Sequence, residues 1–349
     1  MAFTQAELDN IANAALDYYI RQQPLSQTIQ DKPLLSAMRS AMRTFPGGKG
    51  EVSRNVKGEY TTEFAGYTHD DTVAYGNPAN IKQVSYPWKE LHAGIKITHT
   101  ELKKDGIEVI EGRGASDTSQ ISGNEMQRIS SLLEDKLEDM REGMERSLNE
   151  IMWLDGTQDA KVFAGVLNFV ADNPALGTVG GLSRVDNVWW RNRALTGGDA
   201  ITASPSAQTL TKTLRAEVRQ LRRYGGRPTL VLAGSKFIEK LEDEVHEKGT
   251  YTDSGFQNAG ATDIGMADIR MRGVGRILYD PTLDDLGRER FCYFLDPRRL
   301  RPFVLDGHDM KRWSPHRPPE KYVLYRGVTH TGVLVAEQLN AHGVYEVSA

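Results

Sequence analysis

The side chains able to do chemistry in this sequence are scattered in ways that keep them from acting together. His92 and His99 lie seven positions apart. On a strand an odd separation sends them to opposite faces, which suits no shared metal. The other histidines stand singly, without an H-E-x-x-H pair or other ligand spacing. "RGVGRIL" supplies Gly273 and Gly275, but the third glycine of a dinucleotide loop is missing and "YDP" follows where a helix should open. "GGKGEV" has no Ser or Thr after Lys49 and no strand before it, so it does not read as a phosphate loop. No serine sits in a G-x-S-x-G elbow. Asp70/Asp71 and Asp284/Asp285 stand in polar, loop-like sequence and are expected to be solvated, and "EDEVHE" reads as the wet face of a helix. Cys292, the one cysteine, sits in the apolar run "RFCYFLD" and is expected to be an inert buried thiol. No catalytic residue, cofactor or metal is predicted.

One stretch concentrates rings and charge: "GTVGGLSRVDNVWWRNRA", residues 177–194. Trp189 and Trp190 adjoin Arg184, Arg191 and Asn192, with Gly180 and Gly181 just before. Aromatics beside arginines can stack bases. Yet Asp186 lies among them, and the whole chain carries 43 Lys+Arg against 47 Asp+Glu, a net charge of −4. Proteins that grip phosphate backbones are usually basic. The stretch is read as a structural corner, its indoles burying area and its arginines in stacking or ion-pair contacts.

The elements that would position these residues are legible in part. The 349 residues suffice for about two domains. A lone cysteine fits a reducing compartment, and neither a signal peptide nor a membrane-length apolar run is present, so a soluble protein made in the cytoplasm is expected. Thr4 and Glu7 form a capping box for a helix over 4–22. A looser arm broken by Pro24, Pro33 and Pro46 follows. Residues 51–112 alternate aromatic, β-branched and polar types around the turn-like "YGNPAN", predicting one long hairpin with its tip near Asn77 and Pro78. Arms of 15–20 residues would reach about 50–65 Å. A ribbon of two strands is marginal alone in water. No later segment offers a matching spare surface, so another subunit is the expected support.

Ser122 and Glu125 open a long helix over 122–152, whose Met126, Ile129, Leu133, Leu137, Met140, Met144, Leu148 and Ile151 step by three and four. Glu142 and Arg146 make an i,i+4 pair. Gly143 lies inside this helix, either for close packing or as a point where it bends. From 205 to 305 the pattern turns α/β: a helix through Leu210, Leu214, Val218 and Leu221, a buried strand "PTLVLAG", a helix capped by Ser235, then further strands. The tail from 320 reads as a strand or strand pair returning to the first core.

This order of parts resembles the major capsid protein of tailed double-stranded DNA bacteriophages. "GGLSRVDNVWWRN" is similar to the G-G-[IL]-x-R…W-W-R-N segment of a subgroup of that family, "YPWKELHAGIKITHTEL" to the second limb of its E-loop, and "DKPLLSAM" to its N-arm. The resemblance implies an α+β, Hong Kong phage-type fold: N-terminal arm 1–50, E-loop 51–112, P-domain 113–204 with the spine helix, A-domain 205–305 and C-terminal return 306–349. It implies subunit contacts through Tyr75, Asn77, Pro78, Tyr86, Trp88, Lys89 and Glu90. A corner between P and A domains is implied at Gly180, Gly181, Arg184, Trp189, Trp190, Arg191 and Asn192, with the spine-helix bend at Gly143. The implied function is a non-enzymatic shell protein, assembled in the host bacterial cytoplasm as hexamers and pentamers around double-stranded DNA. Scaffold, portal and decoration proteins are the further partners, with no membrane and no cofactor. Only about 50 residues precede the hairpin, so a separate scaffold or none is expected. Some members crosslink chains through a Lys–Asn bond. Lys82 and Lys89 lie in the hairpin, but nothing identifies partners and no crosslink is predicted. The alternatives are a bacterial nanocompartment shell and, from another class, a two-domain α/β enzyme.

Overall fold

The computed structural model describes residues 2–4, 30–60, 62–72, 75, 80–104, 108–110, 123–247, 270–271, 274–313 and 323–348. Helix Gly123–Trp153 covers 31 residues, about 46 Å at 1.5 Å per residue. Leu137, Met140 and Leu148 of its apolar stripe are buried, as the three-and-four spacing requires. An ion pair along it joins Arg141 to Glu145 at 3.9 Å. Gly143 is exposed, and a Cβ added there meets no described atom of its own chain within 4 Å. Ser122, the predicted cap, lies outside the described residues.

The chain divides into two compact units. The smaller comprises residues 1–30, 90–148 and 305–331. In it, strand Lys89–Thr98 pairs with strand Val323–Ala336, and Lys311–Trp313 pairs antiparallel with the same strand, Lys311 opposite Thr329. Residues 89–98 are therefore a sheet strand, not the second limb of the hairpin. The short helix His99–Lys104 opens on a reciprocal box that the sequence reading missed. Thr98 N–H donates to Glu101 Oε2 at 2.9 Å while Glu101 N–H donates to Thr98 Oγ1 at 3.3 Å. Lys136 Nζ reaches Glu101 Oε1 at 3.0 Å and ties that turn to the long helix. Thr4 ends a short strand, Ala2–Thr4. Residues 5–22 lie outside the described set.

The larger unit comprises residues 31–89, 149–304 and 332–349. Its centre is a six-stranded sheet in the order Arg270–Met271, Gly275–Tyr279, Leu230–Ala233, Phe291–Leu295, Gly343–Glu346, Arg193–Leu195. Leu230–Ala233 is buried throughout, which explains its unbroken apolar run. Helices Thr209–Arg222 and Ser235–Glu247 contribute Leu210, Leu214, Leu221, Phe237 and Leu241 to the core around Val231 and Phe294. Cys292 belongs to that core, fully buried, and desolvation pushes its thiol well up. The tail thus does more than return to the first core, since Gly343–Glu346 bonds Phe291–Leu295 on one edge and Arg193–Leu195 on the other.

Three local readings change. Glu244, in the "wet" run, is fully buried: its carboxylate accepts the N–H groups of Leu210 and Thr211 at 2.8 and 2.9 Å. It serves as the N-terminal anion of helix Thr209–Arg222. Asp284 is not merely solvated, because it accepts Ser235 N–H at 3.0 Å and the Tyr279 hydroxyl at 2.8 Å. That carboxylate takes the first N–H of helix Ser235–Glu247, and Glu289 O accepts the Phe237 N–H at 3.0 Å. Lastly, the arm holds helix Pro33–Ser40, with Pro33 in its first turn and Leu34, Leu35 and Met38 buried. Asn149 Oδ1 holds its Leu35 N–H at 3.2 Å.

Candidate subunit-contact site

Strand Glu51–Lys57 pairs antiparallel with Ile81–Pro87, Glu51 opposite Pro87 and Lys57 opposite Ile81. The ladder has seven residues a side, about 24 Å, so the ribbon is less than half as long as the sequence suggested. Side chains alternate by face. Outward stand Ser53, Asn55, Gln83 and Ser85; inward stand Val52, Arg54, Val56, Lys82, Val84 and Tyr86. Val52, Val56, Val84 and Tyr86 are buried.

The inner face rests on this chain itself, which corrects the expectation of a foreign support. Arg54 lies over the Phe303 ring at 4.7 Å, with Glu337 at 3.9 Å. Lys82 Nζ donates to Asn187 Oδ1 at 2.6 Å. Tyr86 meets Phe169 edge-on at 5.6 Å and donates its hydroxyl to Ala336 O at 3.0 Å. Burial holds that phenol protonated, well above its usual range. Trp88 Nε1 donates to Lys49 O at 2.7 Å beside the ladder.

The seat of the ribbon is the tryptophan corner. Thr178–Val179 and Leu182–Ser183 form a small hairpin closed by Gly180 and Gly181, φ 59° and 83°. Two successive positive φ values are the signature of a primed two-residue turn. Gly180 also meets the ribbon directly. Its carbonyl accepts Ser85 N–H at 3.1 Å, and a Cβ there would come within 2.9 Å of both Tyr86 and Val84. Trp190 is buried, with Nε1 donating to Val179 O at 3.1 Å. Trp189 lies 5.7 Å from it and against Gly58, where a Cβ would stand 2.9 Å from the indole.

The cations here are spent on backbone and carboxylate. Arg184 Nη2 donates to Asn168 O and Phe169 O at 2.9 and 2.7 Å, and burial lowers its pKa to about 10. Arg191 holds Arg184 O and Val185 O at 2.7 and 3.0 Å. Asn192 clamps both backbone groups of Ala171 at 3.2 and 2.9 Å. Arg193 makes a bidentate pair with Glu217 at 2.9 and 2.8 Å. These contacts leave neither an open stacking face on Trp190 nor a cation fork turned outward from Arg184 and Arg191.

Beyond the ladder the hairpin changes character. Residues 58–60 and 62–72 form no strand, and nearly all are exposed. Tyr60, Phe64, Tyr67 and Tyr75 are 78, 110, 67 and 94 % exposed. Of the predicted contact residues, Tyr75 belongs here, Tyr86 and Trp88 are tied into the chain, and Lys89 borders a cavity. Glu90 is exposed in the smaller unit. Asn77 and Pro78 lie outside the described residues. The sequence reading missed Gly58, Arg54, Val84 and Phe303. The signal was the even spacing of Val52, Val56, Val84 and Tyr86, which marks one buried face.

Among the described residues no group of three His, Cys, Asp or Glu could hold a metal. No described helix is long and apolar enough to cross a membrane.

No protein-family profile and no curated protein matches this sequence. Solved structures do. A capsid asymmetric unit of cyanophage A-1(L) is similar at 14 % identity and a TM-score of 0.62, over 93 % of this chain and 94 % of that one. The capsid of a native GTA particle matches at 14 % and 0.55, over 97 % and 99 %. The capsid of Myoviridae phage XM1 matches at 11 % and 0.52, over 93 % and 95 %.

Proposed function

We propose that this chain, whose α+β fold is that of tailed-phage, Hong Kong phage-type capsid proteins, builds a phage head. It assembles as hexamers and pentamers into an icosahedral shell around double-stranded DNA, belongs to the virion and is put together in the host bacterial cytoplasm. The supporting observation is likeness over nearly the whole chain at both ends of each comparison. Agreement with a single shared domain would carry much less. The protein works by contact, without catalysis, and its partners are its own copies, with scaffold, portal or decoration proteins joining them.

In this reading the long helix is the spine, and residues 177–194 form the corner where the P-domain hands over to the A-domain. The 51–87 hairpin is the E-loop. The net charge of −4 suits a container. Packed DNA must slide and leave, and a strongly cationic lining would hold it through counterion release. Cohesion comes instead from repeated subunit contacts under closed symmetry. Gly143, exposed and unconstrained by neighbours, serves as the bend point when the shell expands.

Negative-stain microscopy of the purified protein tests this. Closed shells, or five- and six-membered capsomers, are expected; a small soluble oligomer at all concentrations overturns it. Packaged DNA against a cargo enzyme separates a phage head from a nanocompartment.

A further inference from the structure

The hairpin foot borders an apolar groove of about 220 Å³, lined among others by Tyr86, Pro87, Phe163, Phe169, Val333 and Leu334. All of these residues belong to the larger unit. The same chain carries an aromatic ring with nowhere to go. Tyr60 receives the Lys57 ammonium at 4.9 Å, and Tyr67 meets His69 edge-on at 6.4 Å. Phe64, between them, is fully exposed. Exposing such a ring to water is unfavourable in proportion to its area.

Charge points the same way. Residues 58–72 contain Glu59, Glu63, Asp70 and Asp71 and neither Lys nor Arg. The groove has Lys89 in its lining, and exposed Lys161 stands between the lining residues Ala160 and Val162. Two carboxylates of that loop are turned onto its own backbone. Asp155 Oδ1 accepts Thr157 N–H at 2.9 Å, and Asp159 Oδ1 accepts Lys161 N–H at 2.8 Å.

We infer that Phe64 of one copy docks in this groove on a second copy, its acidic neighbours facing Lys89 and Lys161. The inference rests on the shell reading above and names the receiving surface. Donor and acceptor patches differ, so the contact is head-to-tail, and such contacts close into rings or repeat through a lattice. The flanking tyrosines stay at the rim, where a hydroxyl can remain wet.

The test uses the full chain with Ala65→Cys and Ala160→Cys, both exposed positions, so Phe64 stays in place. The native thiol, Cys292, is buried. Assembled particles are treated with a short bismaleimide and run under denaturing, reducing conditions. Ladders of linked chains are expected from the double variant, with at least tenfold less product from either single variant. Particles that form normally while the double variant stays monomeric overturn this docking and leave the shell reading intact. Wild-type protein that forms no particles or capsomers removes both. If the double variant fails to assemble, the charge pair decides: Lys161→Glu should lower particle yield, and Glu63→Lys added to it should restore it. No rescue overturns the docking.

Discussion

The two halves of the 51–87 hairpin share one chain but meet opposite fates. The ladder half turns a face of Val52, Val56, Val84 and Tyr86 onto its own chain and is held there by Gly180, Asn187, Phe303 and Ala336. The far half, residues 58–75, leaves Tyr60, Phe64, Tyr67 and Tyr75 in water. Substitutions in the first half should therefore read out as stability, and those in the second as association.

The largest effect expected is from Tyr86→Ala, which removes a buried ring and a hydrogen bond together. It should cost about 3–5 kcal/mol in denaturant unfolding; a loss under about 1 kcal/mol would mean that the ladder half is as unsupported as the far half. Acid should weaken the body beneath the ribbon. His342 is fully buried, its Nδ1 accepts Asp296 N–H at 3.1 Å, and desolvation lowers its pKa from 6.5 to about 4. The unfolded chain takes up that proton first, so stability is intact above pH 6.5 and is lost as pH falls toward 4. The loss amounts to about 3 kcal/mol. Asp280, raised by burial, has the opposite sign. Comparing melting temperature against pH for wild type and His342→Gln isolates the histidine, whose replacement should flatten the curve.

Gly180→Ala should cost about 2 kcal/mol, from a left-handed backbone and the push against Tyr86 and Val84. Gly143→Ala should instead stabilise by about 1 kcal/mol, since the site is open and alanine favours helix. The same variant should assemble but resist expansion, and normal expansion by microscopy would retire the bend. The smallest change in subunit stability is expected from Phe64→Ser, within about 0.5 kcal/mol. Its particle yield should nevertheless collapse in sedimentation, which is the sharpest form of the contrast.

Periodic elements could be read from the sequence. The helix Gly123–Trp153 was legible because Leu137, Met140 and Leu148 step by three and four, and the same holds for Leu210 to Leu221. Partners were not legible. Residues 89–98 alternate as any strand does, and nothing local says that they pair with 323–336 rather than with the ribbon. Glu244 sits among charges in sequence yet in space meets the start of another helix, thirty-odd residues away. The ribbon's seat eluded reading because its parts come from three separated places: the corner with Gly180 and Asn187, Phe303, and Ala336. Half of the candidate site was visible as types of residue, and the fold alone supplied its geometry.

The lone projecting ring has a consequence for timing. The hairpin's adhesive half adds little to the folded core, so a subunit reaches its native state without waiting for a neighbour. Its unfolding midpoint should not drift with dilution. Under the proposed shell function, growth should then resemble condensation from a stock of finished pieces, with a threshold concentration below which they stay apart.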